Sequence, residues 1–463
     1  MGHRIEKGAI SPLKFTVPSW LFALIAVQLA VGVILGFPGH LSADSIIQLY
    51  EGRTLHFVSF HPPLLSQLLG LLDRLGSGPM GFVVISAALL AAGSWLALRG
   101  TWASTPQRWR RLLAALLVLN PILLLYTGIV WKDVLFAHAI LLAFMLPDAL
   151  RPARGPRRAA GMILLLILLA IIIGARQQGI LFALVLAGCA AWRFGNSLWP
   201  RLGLVLLLVA VPFLANKVAT DFAFQRGLNE MPPGGEVGVR ILMRYDMVGM
   251  MAHGAQGTAI SEDVLTEMQG EIPKYSSYRV DTLNGPAAVF WSQPFGDIFG
   301  MWLGEIRSSP LSYLQHRLAV FSKALGLGGV QACLPYHRGV VGSVQLDLVD
   351  SELTALLGLT PSAGSWAQEI NNFVKIAIQT PLFWHWCYLL AAAGLLLVFV
   401  RRRDWLPASL IGCSIIFVGS YALIGIACDF RYGYALTVVV SIMGARALLG
   451  SGRANTEQPD AIV

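Results

Sequence analysis

Long apolar stretches separated by short polar loops run through most of this chain. They lie at about 15–37, 79–98, 112–128, 133–147, 159–174, 179–192, 201–216, 381–400, 405–425 and 432–449. A helix that crosses a bilayer needs about 20 mostly apolar residues, and several of these stretches are shorter. The pattern predicts an all-α polytopic membrane protein with about ten transmembrane helices, some of which end in protein-lined cavities.

Residues 61–75 (HPPLLSQLLGLLDRL) follow a different pattern. On a helix, their polar residues fall on one stripe opposite a leucine face: Ser66, Gln67, Gly70, Asp73 and Arg74. Pro62 and Pro63 suit the first turn of such a helix. We predict a short amphipathic helix that lies on the membrane surface within the first external loop, 38–78, with its polar stripe in water.

The positions of the charged residues predict which loops share a side of the membrane. If the 61–75 helix does not cross, the arginine-rich loops 99–111 and 151–158 fall on one side with the basic N-terminal tail (Arg4, Lys7 and Lys14). That side holds 18 of the 34 lysines and arginines but only five of the 25 acidic residues. The positive-inside rule makes it cytoplasmic.

This topology divides the chain into three parts, with both termini in the cytoplasm. Residues 1–216 form a transmembrane catalytic module of seven spans, whose first span is an uncleaved anchor rather than a signal peptide. Residues 217–380 form a small external domain, in which 310–335 are either a surface-lying helix or domain core. Residues 381–463 add three spans and a cytoplasmic tail. The expected location is the bacterial inner membrane, with the active site facing the periplasm or exterior.

The composition narrows the possible classes of function. Of the 463 residues, 56% are hydrophobic and 13% are charged, about half the charged fraction of a soluble domain. The net charge of +9 does not indicate a nucleic-acid partner, because the basic residues lie in short loops between apolar stretches. The cysteines are odd in number and lack zinc-site spacing, so we expect neither a disulfide framework nor a metal site from Cys189, Cys333, Cys387, Cys413 and Cys428.

Ionisable residues that interrupt the apolar sequence gather at the predicted external face. They are Asp44 and His61, Lys132 and Asp133, Arg176 with Gln177, and Asp429 with Arg431. Each has an ordinary structural interpretation, as a solvated loop residue or as an ion pair of little energetic weight. The loops at 129–133 and 175–179 are so short, however, that their charges sit near bilayer depth. There each charge costs about 2.5 to 3.5 kcal/mol unless it faces a cavity and a partner, so the set indicates a functional site.

These residue types suit glycosyl transfer from a sugar linked to a lipid phosphate. The leaving phosphate needs cations at the bilayer surface, which Lys132, Arg176 and Arg431 would supply. The acceptor hydroxyl needs a carboxylate base, a role for Asp44. The supporting residues in this hypothesis are Tyr50, His61, Gln177 and Asp429. The sequence has no phosphate-binding glycine loop, and we expect no cofactor besides the lipid-linked donor.

The order of these motifs resembles the GT-C superfamily of integral membrane glycosyltransferases, which includes protein O-mannosyltransferases, the aminoarabinose transferase acting on lipid A and O-antigen glucosyltransferases. The shared features are a long first helix, an external loop from Asp44 to His61-Pro62-Pro63 before a surface helix, a second short loop with an acid, and a large external segment. The resemblance implies a polyprenyl-phosphate-sugar donor of the undecaprenyl type, inverting transfer at the external face, Asp44 as base and Asp133 as a second catalytic acid. Many relatives have Asp-Glu in the first loop where this chain has Asp44-Ser45, so we expect no metal.

Two other classes of protein share parts of this pattern. A polysaccharide polymerase or ligase also uses lipid-linked donors at the external face, and the sequence does not separate it from a transferase. A transporter or flippase of lipid-linked saccharides places its binding charges near the midplane and often shows internal repeats. Here the charges lie at one face and no repeat is visible, which favours the transferase. The expected partners are membrane lipids, the polyprenyl-phosphate sugar and an envelope glycan, lipid or protein acceptor.

Overall fold

The structure, a computed structural model, describes residues 19–57, 61–102, 105, 107–226, 234–283, 287–330, 332–340, 353–360 and 366–450. Within these ranges the regular secondary structure is helical, and strand-like pairing is limited to isolated bridges such as His40 with Ile129. The basic tail with Arg4, Lys7 and Lys14 lies outside the described residues.

The helices follow the apolar stretches in order. The first ten are α1 (Ser19–Gly36), α2 (Ala43–Thr54), α3 (Pro63–Arg74), α4 (Gly78–Trp102), α5 (Arg108–Val118), α6 (Pro121–Tyr126), α7 (Lys132–Leu150), α8 (Gly155–Ala175), α9 (Gly179–Phe194) and α10 (Leu198–Gln225). Then come α11 (Gly234–Ala252), α12 (Glu262–Gln269), α13 (Ala288–Ser292), α14 (Phe295–Ser308), α15 (Pro310–Ala324), α16 (Ala367–Ala377), α17 (His385–Arg401), α18 (Trp405–Ile424) and α19 (Tyr434–Leu449).

Within the described ranges, seven helical stretches are long and apolar enough to cross a membrane. They are α4, α5 with α6, α7, α8, α10, α18, and Phe430–Leu449, which includes α19. This finding confirms a helical membrane protein. Helices α1, α9 and α17 are apolar but shorter, and they coincide with the other three predicted stretches. The total of ten spans and their orientation remain predictions.

Helix α7 forms the centre of the bundle because it is apolar on nearly every face. Its side chains are buried continuously from Val134 to Leu146, and it packs against α4, α8 and α19. The polar ring of His138 is satisfied inside this core, with Ser86 Oγ and Tyr434 Oη each 2.9 Å from a ring nitrogen. His138 is therefore a core residue.

Helix α3 begins at Pro63, as the sequence predicts, but the prediction that its polar stripe faces water is wrong for most of the stripe. Ser66, Gly70 and Asp73 face α2, with which α3 forms a hairpin. Gln67 donates to Ala219 O of α10, and Arg74 is exposed as predicted. Ser66 Oγ donates to Glu51 Oε2 at 2.6 Å, and Arg53 Nε pairs with Asp73 Oδ2 at 2.8 Å. These polar side chains are satisfied by each other instead of by solvent.

Two glycines explain why the hairpin closes so tightly. Gly52 of α2 and Gly70 of α3 face each other, and a Cβ on either residue would collide with the backbone of the other helix. The direct backbone contact buries Ser66 and Gly70 of the stripe and leaves Leu71 and Leu75 exposed. With 12 residues, α3 is too short to cross a bilayer.

Residues between 234 and 330 have a hydrophobic core of their own. It is built from side chains of the segment α11 to α15, including Met243, Met247, Phe290, Ile298 and Val320. On α15, His316, Arg317 and Val320 are buried, whereas Leu311, Leu314 and Leu318 are exposed. The stretch 310–335, for which the sequence left two interpretations open, thus gives one face to a core and exposes leucines on another.

Cys333 and Cys428 form a disulfide bond, so the expectation of no disulfide is wrong. The two residues are 95 positions apart, and no local spacing reveals the pair. The free cysteines Cys189, Cys387 and Cys413 lie in the apolar helices α9, α17 and α18 and make the total odd. The bond ties the 332–340 segment to the loop that precedes α19.

Candidate functional site

Backbone pairing gathers several loops at one end of the bundle. After α1, the His40 amide donates to Gly128 O at 2.9 Å, and the Val130 amide donates back to His40 O at 3.0 Å. The next amide, that of Leu41, donates to Gly339 O at 2.9 Å. These bonds hold the chain entering α2 against the chain entering α7 and against the 332–340 segment.

Seven ionisable side chains meet at this end, and we call them the charged cluster: Asp44, His61, Lys132, Asp133, Arg176, Asp429 and Arg431. All seven are candidates that the sequence singled out. They come from four separate loops, so the fold brings together residues that lie up to 387 positions apart.

Arg431 lies between two carboxylates and two aromatic rings. Its Nη1 donates to Asp44 Oδ2 at 2.6 Å, and its Nε lies 3.3 Å from Asp429 Oδ2. The guanidinium stands over the rings of Trp131 and Tyr432, 5.0 and 5.4 Å from their centroids. This packing fixes the position of the cation in a largely desolvated setting.

Asp44 occupies the first turn of α2, where a carboxylate also interacts favourably with the helix dipole. Burial alone would raise the pKa of Asp44, but the Arg431 guanidinium and the His61 ring hold that pKa well below its usual range. His61 Nε2 lies 3.6 Å from Asp44 Oδ1. The Asp44 side chain stays 34% exposed and is therefore accessible from solvent.

Asp133 and Arg176 form a second ion pair of the charged cluster. Asp133 lies in the first turn of α7 and its side chain is only 4% exposed. Arg176 bonds the Asp133 Oδ1 atom, and its guanidinium stands 5.0 Å from the centroid of the Tyr432 ring. Tyr432 therefore contacts both arginines of the cluster. The second oxygen of Asp133, Oδ2, is buried without a hydrogen-bond partner among the described residues.

Lys132 differs from the two arginines because, in the described part of the chain, no carboxylate lies within 4.0 Å of its Nζ. Its Nζ lies 3.4 Å from His61 Nδ1. Lys132 lines a cavity of about 250 Å³ together with His61, Arg176 and Gln177. Apolar side chains also line this cavity, among them Val239, Leu242, Ile424 and Ile426.

Asp281 belongs to the same region, and the sequence reasoning missed it. The Val280 amide donates to Ile426 O at 2.8 Å, which brings Asp281 beside the loop that carries Asp429 and Arg431. Asp281 keeps an exposed side chain, yet desolvation and the charge of Asp429 raise its pKa. Because residue 281 lies in a long polar segment, only this long-range backbone pairing within the chain could have revealed it.

Two histidines near the charged cluster were also missed: His40, which is buried, and His337, which is half-buried. His40 Nε2 lies 3.1 Å from Leu35 O, and its Nδ1 accepts from the Gly339 amide at 3.2 Å. Burial lowers the pKa of His40 to about 4. His337 packs on Trp131, with ring centroids 5.8 Å apart, and burial lowers its pKa as well. The His40 ring is therefore neutral at pH 7.

Of the remaining candidates, the structure places Gln177 at the cavity but does not bring Tyr50 to the cluster. Tyr50 is partly buried against the apolar contacts of α2 and α3, near Leu49 and Leu69. It lies six residues after Asp44, which is about 240° around an ideal helix and so on a different face. Its supporting role in the site is not favoured by this geometry.

Among the described residues, no three His, Cys, Asp or Glu side chains are grouped as a metal site would need. Metal independence remains a prediction.

Comparisons with protein-family models, curated proteins and solved structures found no match for this chain. They give no indication of membership in the GT-C superfamily. That resemblance therefore rests on the order of the sequence motifs alone.

Proposed function

We propose that this chain is a membrane glycosyltransferase. It moves a sugar from a polyprenyl-phosphate donor to a hydroxyl of an envelope glycan, lipid or protein at the external face of the membrane. The observation that carries the proposal is the charged cluster: three cations and three aspartates held at one end of an apolar bundle, next to a cavity that two of the cations line.

The cavity has the two kinds of wall that a lipid phosphate needs. Lys132 and Arg176 supply positive charge, where charge-assisted hydrogen bonds to phosphate oxygens are strong. Ile424 and Ile426, at and just after the end of α18, supply apolar surface, which suits the first isoprene units. Lys132 is the prime phosphate ligand because it has no carboxylate partner among the described residues.

In the proposed reaction the acceptor oxygen attacks the anomeric carbon of the sugar from the side opposite the phosphate. A new carbon–oxygen bond forms as the bond to the phosphate oxygen breaks, and the electron pair of the broken bond stays with the phosphate. The hydroxyl proton passes to the Asp44 carboxylate. Lys132, Arg176 and Arg431 stabilise the charge that develops on the leaving phosphate.

The pairing of Asp44 with Arg431 couples proton acceptance to donor binding. While Arg431 is paired with Asp44, the carboxylate is a weak base because its pKa lies well below the usual range. A donor phosphate that takes over hydrogen bonds of Arg431 raises the pKa of Asp44 and makes it a better proton acceptor. Asp281, with its raised pKa, is the second candidate for the base.

Two observations support an external location for the charged cluster. The disulfide partner Cys428 directly precedes Asp429, and disulfides persist in oxidising compartments such as the periplasm. The arginines that follow α7 and α17 lie at the opposite end of these helices, which the positive-inside rule makes cytoplasmic.

Binding of polyprenyl phosphate to the full-length protein in nanodiscs tests the proposal. The Lys132→Met variant loses a charge-assisted contact worth about 1.5 to 3 kcal/mol. We therefore expect it to bind polyprenyl phosphate about 10- to 100-fold more weakly than the wild type. The matched control is Lys217→Met, which removes an exposed lysine from α10 and should bind like the wild type. Equal affinity in all three proteins would reject the phosphate site. Turnover of sugar-loaded donors in the same nanodiscs then identifies the sugar.

A further inference from the structure

We propose that an arginine-lined cavity at the opposite end of the bundle binds the phosphate headgroup of an anionic glycerophospholipid. The proposal does not rest on the glycosyltransferase assignment, because the cavity shares no residue with the charged cluster.

The cavity holds about 310 Å³ and collects arginines from separate parts of the chain. They are Arg99 near the end of α4, Arg151 after α7, Arg193 near the end of α9, Arg402 after α17 and Arg446 in α19. A phosphate surrounded from several directions by guanidinium groups receives more hydrogen bonds than one arginine can give.

The cavity carries an excess of positive charge. Arg193 Nη2 pairs with Asp148 Oδ1 at 2.7 Å, and Arg446 Nη2 pairs with Asp404 Oδ2 at 2.8 Å. The other three arginines have no acidic partner within 4.0 Å in the described chain. Five guanidinium groups against two carboxylates leave about three positive charges, which favours an anionic ligand.

A second cavity, of about 600 Å³, adjoins the first and shares Arg151 and Arg193 with it. Its walls include Trp192, Trp405 and Leu406. The two tryptophans are 73% and 59% exposed, as interfacial tryptophans are at the level of lipid headgroups. Arg403 is a third arginine of this second cavity, which therefore combines positive charge with apolar walls. Such a pair of cavities matches a phospholipid, whose phosphate and acyl chains are directly connected.

Topology alone does not require this arrangement. Positive charges that fix orientation need only lie in the loops, and Arg154 and Arg157 supply such charges from exposed positions outside both cavities. Arg446, in contrast, lies within a helix with its side chain only 16% exposed. Basic pockets between transmembrane helices recognise phospholipid headgroups in other proteins.

Native mass spectrometry of the full-length protein, titrated with dioleoyl phosphatidylglycerol, tests the proposal. The double variant Arg99→Gln/Arg151→Gln removes two unpaired arginines without leaving a carboxylate unpaired. At about 1 kcal/mol for each basic residue, we expect binding about 30-fold weaker than in the wild type. The single variants should each lose about five-fold, so the test stands even if the double variant fails to fold.

The matched control is Arg154→Gln/Arg157→Gln, which removes the same charge from the same end of the bundle and should leave phosphatidylglycerol binding unchanged. An equal loss in both double variants would overturn the site in favour of general charge attraction. Dioleoyl phosphatidylcholine binding as tightly as phosphatidylglycerol would also overturn it. Tighter binding of polyprenyl phosphate than of phosphatidylglycerol would overturn the phospholipid assignment.

Discussion

At one end of the bundle Arg176 and Arg431 are each paired with an aspartate and packed on Tyr432, whereas at the opposite end Arg99 and Arg151 are exposed and have no acidic partner in the described chain. Both ends use the same side chain under different physical conditions. Near bilayer depth a lone charge is costly, and each of these two arginines has an acidic partner. At the solvated end no partner is required, and unpaired positive charge can accumulate.

The difference between the two ends indicates which charged residues are related to function. Unpaired exposed arginines orient the protein and are available to anionic headgroups. Balanced, desolvated charges are seldom kept for stability, because replacing a buried ion pair by apolar residues is often neutral or stabilising. The charged cluster is therefore better explained by chemistry than by folding.

The largest expected effect is on catalysis at the cluster. Asp44→Asn removes the proposed base and should lower transfer from a polyprenyl-phosphate sugar by about 10²- to 10⁴-fold, while the protein still folds. The control Asp221→Asn removes an exposed carboxylate of α10 and should keep full activity. Initial rates in nanodiscs give the result. If Asp44→Asn is fully active and Asp281→Asn is not, the base role moves to Asp281.

The disulfide gives the next largest effect. Cys333→Ser/Cys428→Ser removes a cross-link between residues 95 apart, and such links contribute about 3 kcal/mol or more. We expect lower thermal stability and weaker donor binding, because the bond anchors the loop with Asp429 and Arg431. The double variant should match the wild type treated with reductant. Cys387→Ser, a free cysteine of α17, should change neither property. Unchanged donor binding after loss of the bond would show that it does not organise the charged cluster.

The stability of the protein should also depend on pH through His40, at the end of the bundle that holds the charged cluster. The folded-state pKa of His40, about 4, lies below its ordinary value of 6.5, so its contribution to stability is complete above pH 6.5 and is lost as the pH falls toward 4. Between pH 7 and pH 4 the loss is about 3 kcal/mol. His40→Gln should therefore flatten the pH dependence of the unfolding midpoint relative to the wild type. An equally steep profile in His40→Gln would contradict this account.

The smallest expected effect is the loss of stability when one arginine from each end is replaced by alanine. Arg431→Ala leaves Asp44 and Asp429 without their cation and removes ring contacts, so we expect a loss of about 2 kcal/mol. Arg446→Ala breaks one ion pair, with Asp404, and should cost about 1 kcal/mol or less. Thermal unfolding in the same detergent measures both. A larger cost for Arg446→Ala would reverse the contrast between the two ends.

The helices and the meeting of the charged residues could be predicted from sequence for a simple reason. A long enough run of apolar residues identifies a membrane-spanning helix. Once the 61–75 helix is kept out of the membrane, the alternation of spans places Asp44, Lys132, Arg176 and Arg431 at one end. The Asp44–Arg431 contact, between residues 387 positions apart, lies at that end, but the sequence did not predict this particular pairing.

What the sequence could not reveal depends on contacts within long polar segments or on helix phase. Asp281 and His337 come to the site through pairing of 280 with 426 and of Leu41 with Gly339. The Cys333–Cys428 bond spans two regions with no shared pattern. Ser66 and Asp73 of the polar stripe were predicted to face solvent. They face α2 instead, because Gly52 and Gly70 allow close backbone contact and have no side chain that would indicate it in the sequence.

The most direct test of the central claim is mass spectrometry of cell-envelope glycans and lipids from a strain that lacks the gene and is complemented with either the wild type or Asp44→Asn. We expect one envelope species to lack a single sugar residue in the deletion strain. The wild type should restore it, and Asp44→Asn, expressed to the same level, should not. An unchanged glycan and lipid profile in the deletion strain, or full restoration by Asp44→Asn, would contradict the proposal that the Asp44 end of the bundle transfers sugars.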